Sequence, residues 1–199
     1  MAEHTVDLGR RRFLTGTTAV VGAVGGVFAA VPFFSAFLPS AKALAAGAPT
    51  VVDISKLAPG AQLIEVWRKR PVWIIKRSPE ALQALDGQKP RLKDPENKVE
   101  DQQPSYARNS YRSLKPEILV LVGSCTHLGC SPKFHPEMKA VDWDQKWQGG
   151  FYCPCHSSKF DMAGRVYEGS PAPTNLVVPP YRFADDMTIV IGEDSEVTA

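Results

Sequence analysis

Two short stretches carry side chains able to hold a metal: Cys125-Thr126-His127-Leu128-Gly129-Cys130 and Cys153-Pro154-Cys155-His156-Ser157-Ser158. They contain all four cysteines of the 199-residue chain and two of its four histidines. Cys-x-His in the first and Cys-x-x-His in the second supply two thiolates and two imidazoles, and leave Cys130 and Cys155 free to cross-link. Such a donor set fits a [2Fe-2S] centre in which one iron takes two cysteines and the other two histidines. The same four donors would hold a tetrahedral zinc ion, although zinc has no use for a second cysteine pair at this offset. A disulfide scaffold with incidental histidines is the remaining alternative, and the matched Cys/His spacings argue against it. Haem attachment through Cys-x-x-Cys-His is excluded, because Cys153-Pro154-Cys155-His156 is one residue too short.

The two stretches resemble the cluster-binding boxes of Rieske iron-sulfur proteins, and more narrowly those of the quinol-oxidising cytochrome bc complexes. Arene-dioxygenase Rieske domains have similar ligand spacings but typically lack the extra cysteine pair. The resemblance implies that Cys125 and Cys153 bind the inner iron of one [2Fe-2S] cluster and His127 and His156 the outer iron, with Cys130 and Cys155 joined as a disulfide. It implies electron transfer from ubiquinol to a c-type cytochrome, with His127 or His156 taking a proton as the centre takes an electron. The implied partners are cytochrome b, which holds the quinol site, and a c-type cytochrome, in a dimeric complex. Leu128 and the loop Pro171-Ala172-Pro173 would frame the docking face. Ser158 stands where the family has a hydrogen bond to a bridging sulfide, while Phe160 replaces a tyrosine common in high-potential members. Ser157 lies where glycine is usual, which points to a positive φ there. Two other functions fit parts of the pattern: the small Rieske subunit of a periplasmic molybdenum oxidase such as arsenite oxidase, and a zinc-stabilised binding module.

The rest of the chain must carry and position these loops. With 23 basic and 21 acidic residues the net charge is +2, which gives no reason to invoke nucleic acid. Arg10-Arg11-Arg12 precedes Phe13-Leu14, and no further charge occurs before Lys42. Residues 13–38 therefore read as a transmembrane helix, longer than the roughly 20 apolar residues a bilayer requires. The arginines place residues 1–12 in the bacterial cytoplasm and resemble a twin-arginine export signal, leaving the following domain periplasmic on the inner membrane. Cleavage at Ala41-Lys42-Ala43 or Ala43-Leu44-Ala45 is the alternative, but the apolar run exceeds an ordinary signal sequence, so an anchor is expected. Residues 39–49, small and rich in alanine, read by composition as a spacer, and the resemblance implies that this segment is a flexible hinge.

From residue 50 to 199 the pattern is that of an all-β domain of antiparallel sheets with a cluster-binding subdomain. Val51 to Ile54 reads as a first strand, and Leu63–Trp67 with Val72–Lys76 as a hairpin around Arg68-Lys69-Arg70. Ser78-Pro79-Glu80 starts a short helix with Gly87 as its stop. Residues 88–115 are polar and weakly periodic, so they read as an insertion loop with a solvated surface. Ile118–Val122 leads into the first box and Gly149–Tyr152 into the second. His135, Trp143 and Trp147 are expected to pack the intervening loop. Tyr181–Phe183 and Thr188–Ile191 read as a closing hairpin around Asp185-Asp186.

Overall fold

A computed structural model describes residues 7–41, 43 and 47–194. The chain divides into two units, residues 1–45 and 46–199. Half of the expected cytoplasmic segment (residues 1–6), part of the expected hinge (42 and 44–46) and residues 195–199 lie outside the described residues.

Among the described residues, the longest element of the first unit is the apolar helix α1 (Leu8–Ser35), with no buried side chain. It starts five residues earlier than the apolar run, because the Asp7 carboxylate accepts hydrogen bonds from the amides of Gly9 and Arg10 at 3.0 and 3.1 Å. Arg10, Arg11 and Arg12 thus belong to the helix rather than preceding it, and residues 36–38 lie beyond its end.

Among the described residues, the second unit holds three antiparallel sheets, each three-stranded. β1 (Thr50–Asp53), β9 (Thr188–Ile191) and β8 (Tyr181–Asp185) form one, in that order. β2 (Gln62–Trp67), β3 (Arg70–Lys76) and β4 (Ile118–Val122) form the second. β2 and β3 are joined by Arg68 and Lys69, both with positive φ (49° and 61°), the mirror-type turn that matches strand twist. β5 (Lys133–His135), β6 (Gly150–Tyr152) and β7 (Lys159–Phe160) form the third, which carries the ligand loops. Neither β5 nor β7 is visible as a periodic pattern, since strands of two or three residues have almost no period.

The second and third sheets meet where Trp73 stacks on Phe151, ring centroids 5.1 Å apart. Gly123 follows β4 at this point, and any Cβ there would lie inside the Trp73 indole. The chain can therefore pass the indole into the first ligand loop only as glycine. Gly150 (φ 143°) likewise presses its Cα side against the Phe160 carbonyl, where no side chain fits.

The helix α2 (Pro79–Gln88) is capped by Ser78 Oγ, which accepts from the Ala81 amide at 3.3 Å. Gly87 does not stop it; the chain continues through Gln88 into a 3-10 turn at Lys89–Arg91. The segment that follows is solvated only in part. Arg112 is fully buried and donates to five oxygens: the carbonyls of Gln102, Ala163, Gly164 and Leu176 and the Gln103 side chain. Burial pushes its guanidinium down to about 9, while those acceptors favour the charged form. Arg77, also buried, donates to the carbonyls of Pro116, Tyr111 and Met162. Residues 89–115 thus form a strap in which Lys93 and Arg112 are spent chiefly on backbone carbonyls across the domain and Arg91 on Asp144, while Glu96, Lys98, Glu100, Asp101 and Arg108 stay exposed.

Candidate metal centre

The two ligand loops have the same backbone fold. In the first, the Cys125 amide donates to the Cys130 carbonyl (2.7 Å) and the Gly129 amide to the Cys125 carbonyl (2.9 Å). In the second, the Cys153 amide donates to the Ser158 carbonyl (2.8 Å) and the Ser157 amide to the Cys153 carbonyl (2.9 Å). The fifth residue of each is left-handed: Gly129 at φ 80° and Ser157 at φ 61°. Serine therefore occupies a glycine conformation, as its position in the box implies. Its hydroxyl accepts a 3.0 Å hydrogen bond from the Tyr152 phenol, which anchors the strained residue to β6. Tyr152 is in turn stacked on Trp143, with centroids 4.4 Å apart, and Trp147 and His135 pack edge-on against Trp143.

The side chains converge from both loops. Cys130 and Cys155 form a disulfide, while Cys125 and Cys153 are free and buried. Cys153 Sγ lies within 4.8 Å of both disulfide sulfurs. The His127 and His156 rings are 4.7 Å apart, edge to face; His156 is exposed and His127 half-buried. Burial raises the Cys125 thiol above its usual range, and the neighbouring Cys153 sulfur adds to the shift; the His127 amide and the Ser158 hydroxyl oppose it by favouring the thiolate. His127 Nδ1 is buried with no hydrogen-bond partner, a costly state for a ring nitrogen unless a metal takes it. Two free sulfurs, two adjacent imidazoles and an orphaned inward nitrogen suit the mixed ligation of a [2Fe-2S] group.

Comparison with known proteins decides the family. Residues 93–182 match the Rieske [2Fe-2S] domain, and residues 1–40 match the segment described as Ubiquitinol-cytochrome C reductase Fe-S subunit TAT signal. The Ubiquinol-cytochrome c reductase iron-sulfur subunit of Allochromatium vinosum is 54% identical over 194 residues, covering 98% of this chain and 93% of that protein. The chain belongs to this family of Rieske subunits. The corresponding subunit of Blastochloris viridis is 42% identical over 192 residues, with 96% and 97% covered. Among solved structures, a chain of a hyperthermophilic respiratory Complex III superposes with a TM-score of 0.53 at 23% identity, covering 88% of this chain and 98% of that one. That likeness bears on the fold, an all-β Rieske domain with an N-terminal apolar helix. The cofactor of this Rieske subunit is a [2Fe-2S] cluster. The apolar helix and the export-signal match fit a membrane-anchored subunit.

The proline loop of the Rieske domain is held from three sides. Thr126 Oγ1 donates to the Thr174 carbonyl at 2.7 Å, tying it to the first ligand loop. The Ala172 amide donates to Ser158 Oγ at 3.0 Å, tying it to the second. Lys93 Nζ donates to the carbonyls of Ser170 (2.6 Å) and Ala172 (2.9 Å), tying it to the strap. Ser158 is fully buried, and with one lone pair engaged by Ala172 its O–H is left to act on the Cys125 sulfur. Phe160 is also fully buried, in β7. Leu128 is 71% exposed, and Pro171 and Pro173 are exposed, but Ala172 between them, expected on the docking face, is buried. Its amide is committed to Ser158, which turns its methyl inward.

Sequence reading missed Lys93, Thr126 and Tyr152. Thr126 sits inside a ligand box and could have been found there, since its neighbours are fixed. Nothing local marks Lys93; it contacts a segment nearly 80 residues away.

Proposed function

We propose that this Rieske subunit takes one electron from ubiquinol and passes it to a c-type cytochrome. The observation that carries the reading is the donor set: two buried free cysteines and two neighbouring histidines, one with an unpartnered inward nitrogen. Cys125 and Cys153 would hold one iron, and His127 and His156 the other. When bound, a [2Fe-2S] group so ligated supplies a one-electron couple at roughly −150 to +300 mV, within reach of a quinol. The chain's own residues do the rest. His156, on the exposed side, presents its outer ring nitrogen to the quinol hydroxyl and takes its proton as the electron leaves; His127 is the second candidate for that role. The disulfide limits the separation of the two loops and keeps water from the buried cysteines. Leu128, Pro171 and Pro173 form an apolar rim for docking against cytochrome b at its quinol site.

In this reading α1 anchors the subunit in the bacterial inner membrane, with the arginine-bearing end cytoplasmic and residues 50–199 periplasmic. Residues 39–49 act as the hinge on which the domain moves between cytochrome b and the c-type cytochrome, within a dimeric complex. Low-temperature electron paramagnetic resonance on reduced membranes, with and without a quinol-site inhibitor, tests the proposal. A Rieske signal that shifts on inhibitor binding is expected. A signal indifferent to inhibitor, or zinc in place of iron and sulfide, would overturn it.

A further inference from the structure

Lys93 stands at the start of the strap, half-buried, and neither of its acceptors is a side chain: its ammonium is held by two backbone carbonyls of the loop at 2.6 and 2.9 Å. Among the described residues no carboxylate forms an ion pair with it. Its charge is therefore uncompensated at close range. The two carbonyls flank Pro171, and the residues bearing them also hold the second ligand loop: the Ala172 amide bonds Ser158 Oγ at 3.0 Å, and Ser170 Oγ accepts from the Lys159 amide at 3.1 Å. From the ammonium to the Cys125 sulfur the path runs through Ala172 and Ser158 alone.

We propose that Lys93 is a positioning residue for the metal centre: it locks the proline loop onto the second ligand loop and supplies a fixed positive charge that favours the reduced cluster. The inference rests on the cluster being held by the four residues named above. Reduction adds one negative charge at the centre, and a cation two hydrogen-bonded residues away in a partly buried setting favours that state, on the order of tenfold. At a fixed ambient potential this is the reduced-to-oxidised ratio, and tenfold corresponds to ~59 mV for a one-electron couple. The loop-locking half of the role is independent of the cluster, because Ala172 keeps its amide protected only while the loop stays seated.

The test uses the full-length protein in detergent, with Lys93→Met, Lys93→Gln and Lys93→Arg variants. Hydrogen exchange over residues 170–176 reads the lock, and a redox titration followed by the Rieske resonance reads the charge. The expected result is faster exchange and a midpoint lowered by about a tenfold ratio in Lys93→Met, with both restored toward the parent in Lys93→Arg. Lys93→Gln, which keeps donors but no charge, should also lower the midpoint, and it serves if the methionine variant fails to fold. A parent protein without a Rieske signal sinks the ligand assignment and this inference together. A parent signal with midpoints unmoved in both uncharged variants overturns the role of Lys93 alone.

Discussion

Ser157 shows how one residue can be read in two ways. A left-handed serine costs roughly 1–2 kcal/mol relative to an unstrained backbone, and its hydrogen bond from Tyr152 returns part of that. Tyr152→Phe should destabilise the parent by about 0.5–1 kcal/mol and have almost no effect in a Ser157→Gly background. A double-mutant cycle by thermal or urea unfolding measures this, and equal effects in both backgrounds would show that the pair is uncoupled. Phe160 carries a second prediction. If the phenol of Phe160→Tyr donates to a ligand sulfur, the reduced state gains about 1.4 kcal/mol and the midpoint rises by ~59 mV. A midpoint that stays or falls rejects it. At this scale the sequence was informative because the chemistry is local: each ligand loop closes within six residues, so spacing alone exposed it. Ala172 was misplaced for the complementary reason, since its orientation depends on Ser158, 14 residues earlier.

Among the elements, the strap is where reading from sequence failed. Its charges look solvated when read along the chain, because their partners lie far off: Arg91 with Asp144, Lys93 with the proline loop, Arg112 with Leu176. Asp144 fastens the strap to the third sheet, with Arg91 at 2.6 Å and Lys159 at 3.3 Å. Burial works to raise its carboxyl, but the Lys146 amide, Arg91 and Lys159 together hold it below its ordinary value. A carboxylate depressed in the folded state stabilises fully above its unfolded value, near 3.8, and loses that contribution as pH falls through the lower folded value. Asp144→Asn should therefore cost about 1–3 kcal/mol at pH 7 and progressively less as pH falls below the unfolded value, flattening the acid limb of a stability-against-pH curve. A parallel offset at every pH would contradict it. Arg112→Met removes a charge serving five acceptors and should cost about 3 kcal/mol or more, seen as a lower unfolding midpoint in urea. Strands such as β4, β8 and β9 were legible, being continuous apolar runs or a tight hairpin.

The molecule as a whole joins its first strand to its last. Thr50–Asp53 pairs with Thr188–Ile191 in register, and β1, at the edge of its sheet, has no other strand to pair with there. The Ile54 amide adds a 2.8 Å bond to the Met187 carbonyl. Val52, Ile54, Ile189 and Ile191, all buried, share the core that this pairing closes. A chain stopped after Asp186 should remain protease-sensitive and hold no cluster, and limited proteolysis with iron analysis checks this. Such a domain reports on its own completeness. A chain that ends short of residue 188 lacks the strand that closes this sheet, so β1 is left without its partner. Closure of the domain thus waits until residue 191 has been made, long after the segment that matches a TAT signal.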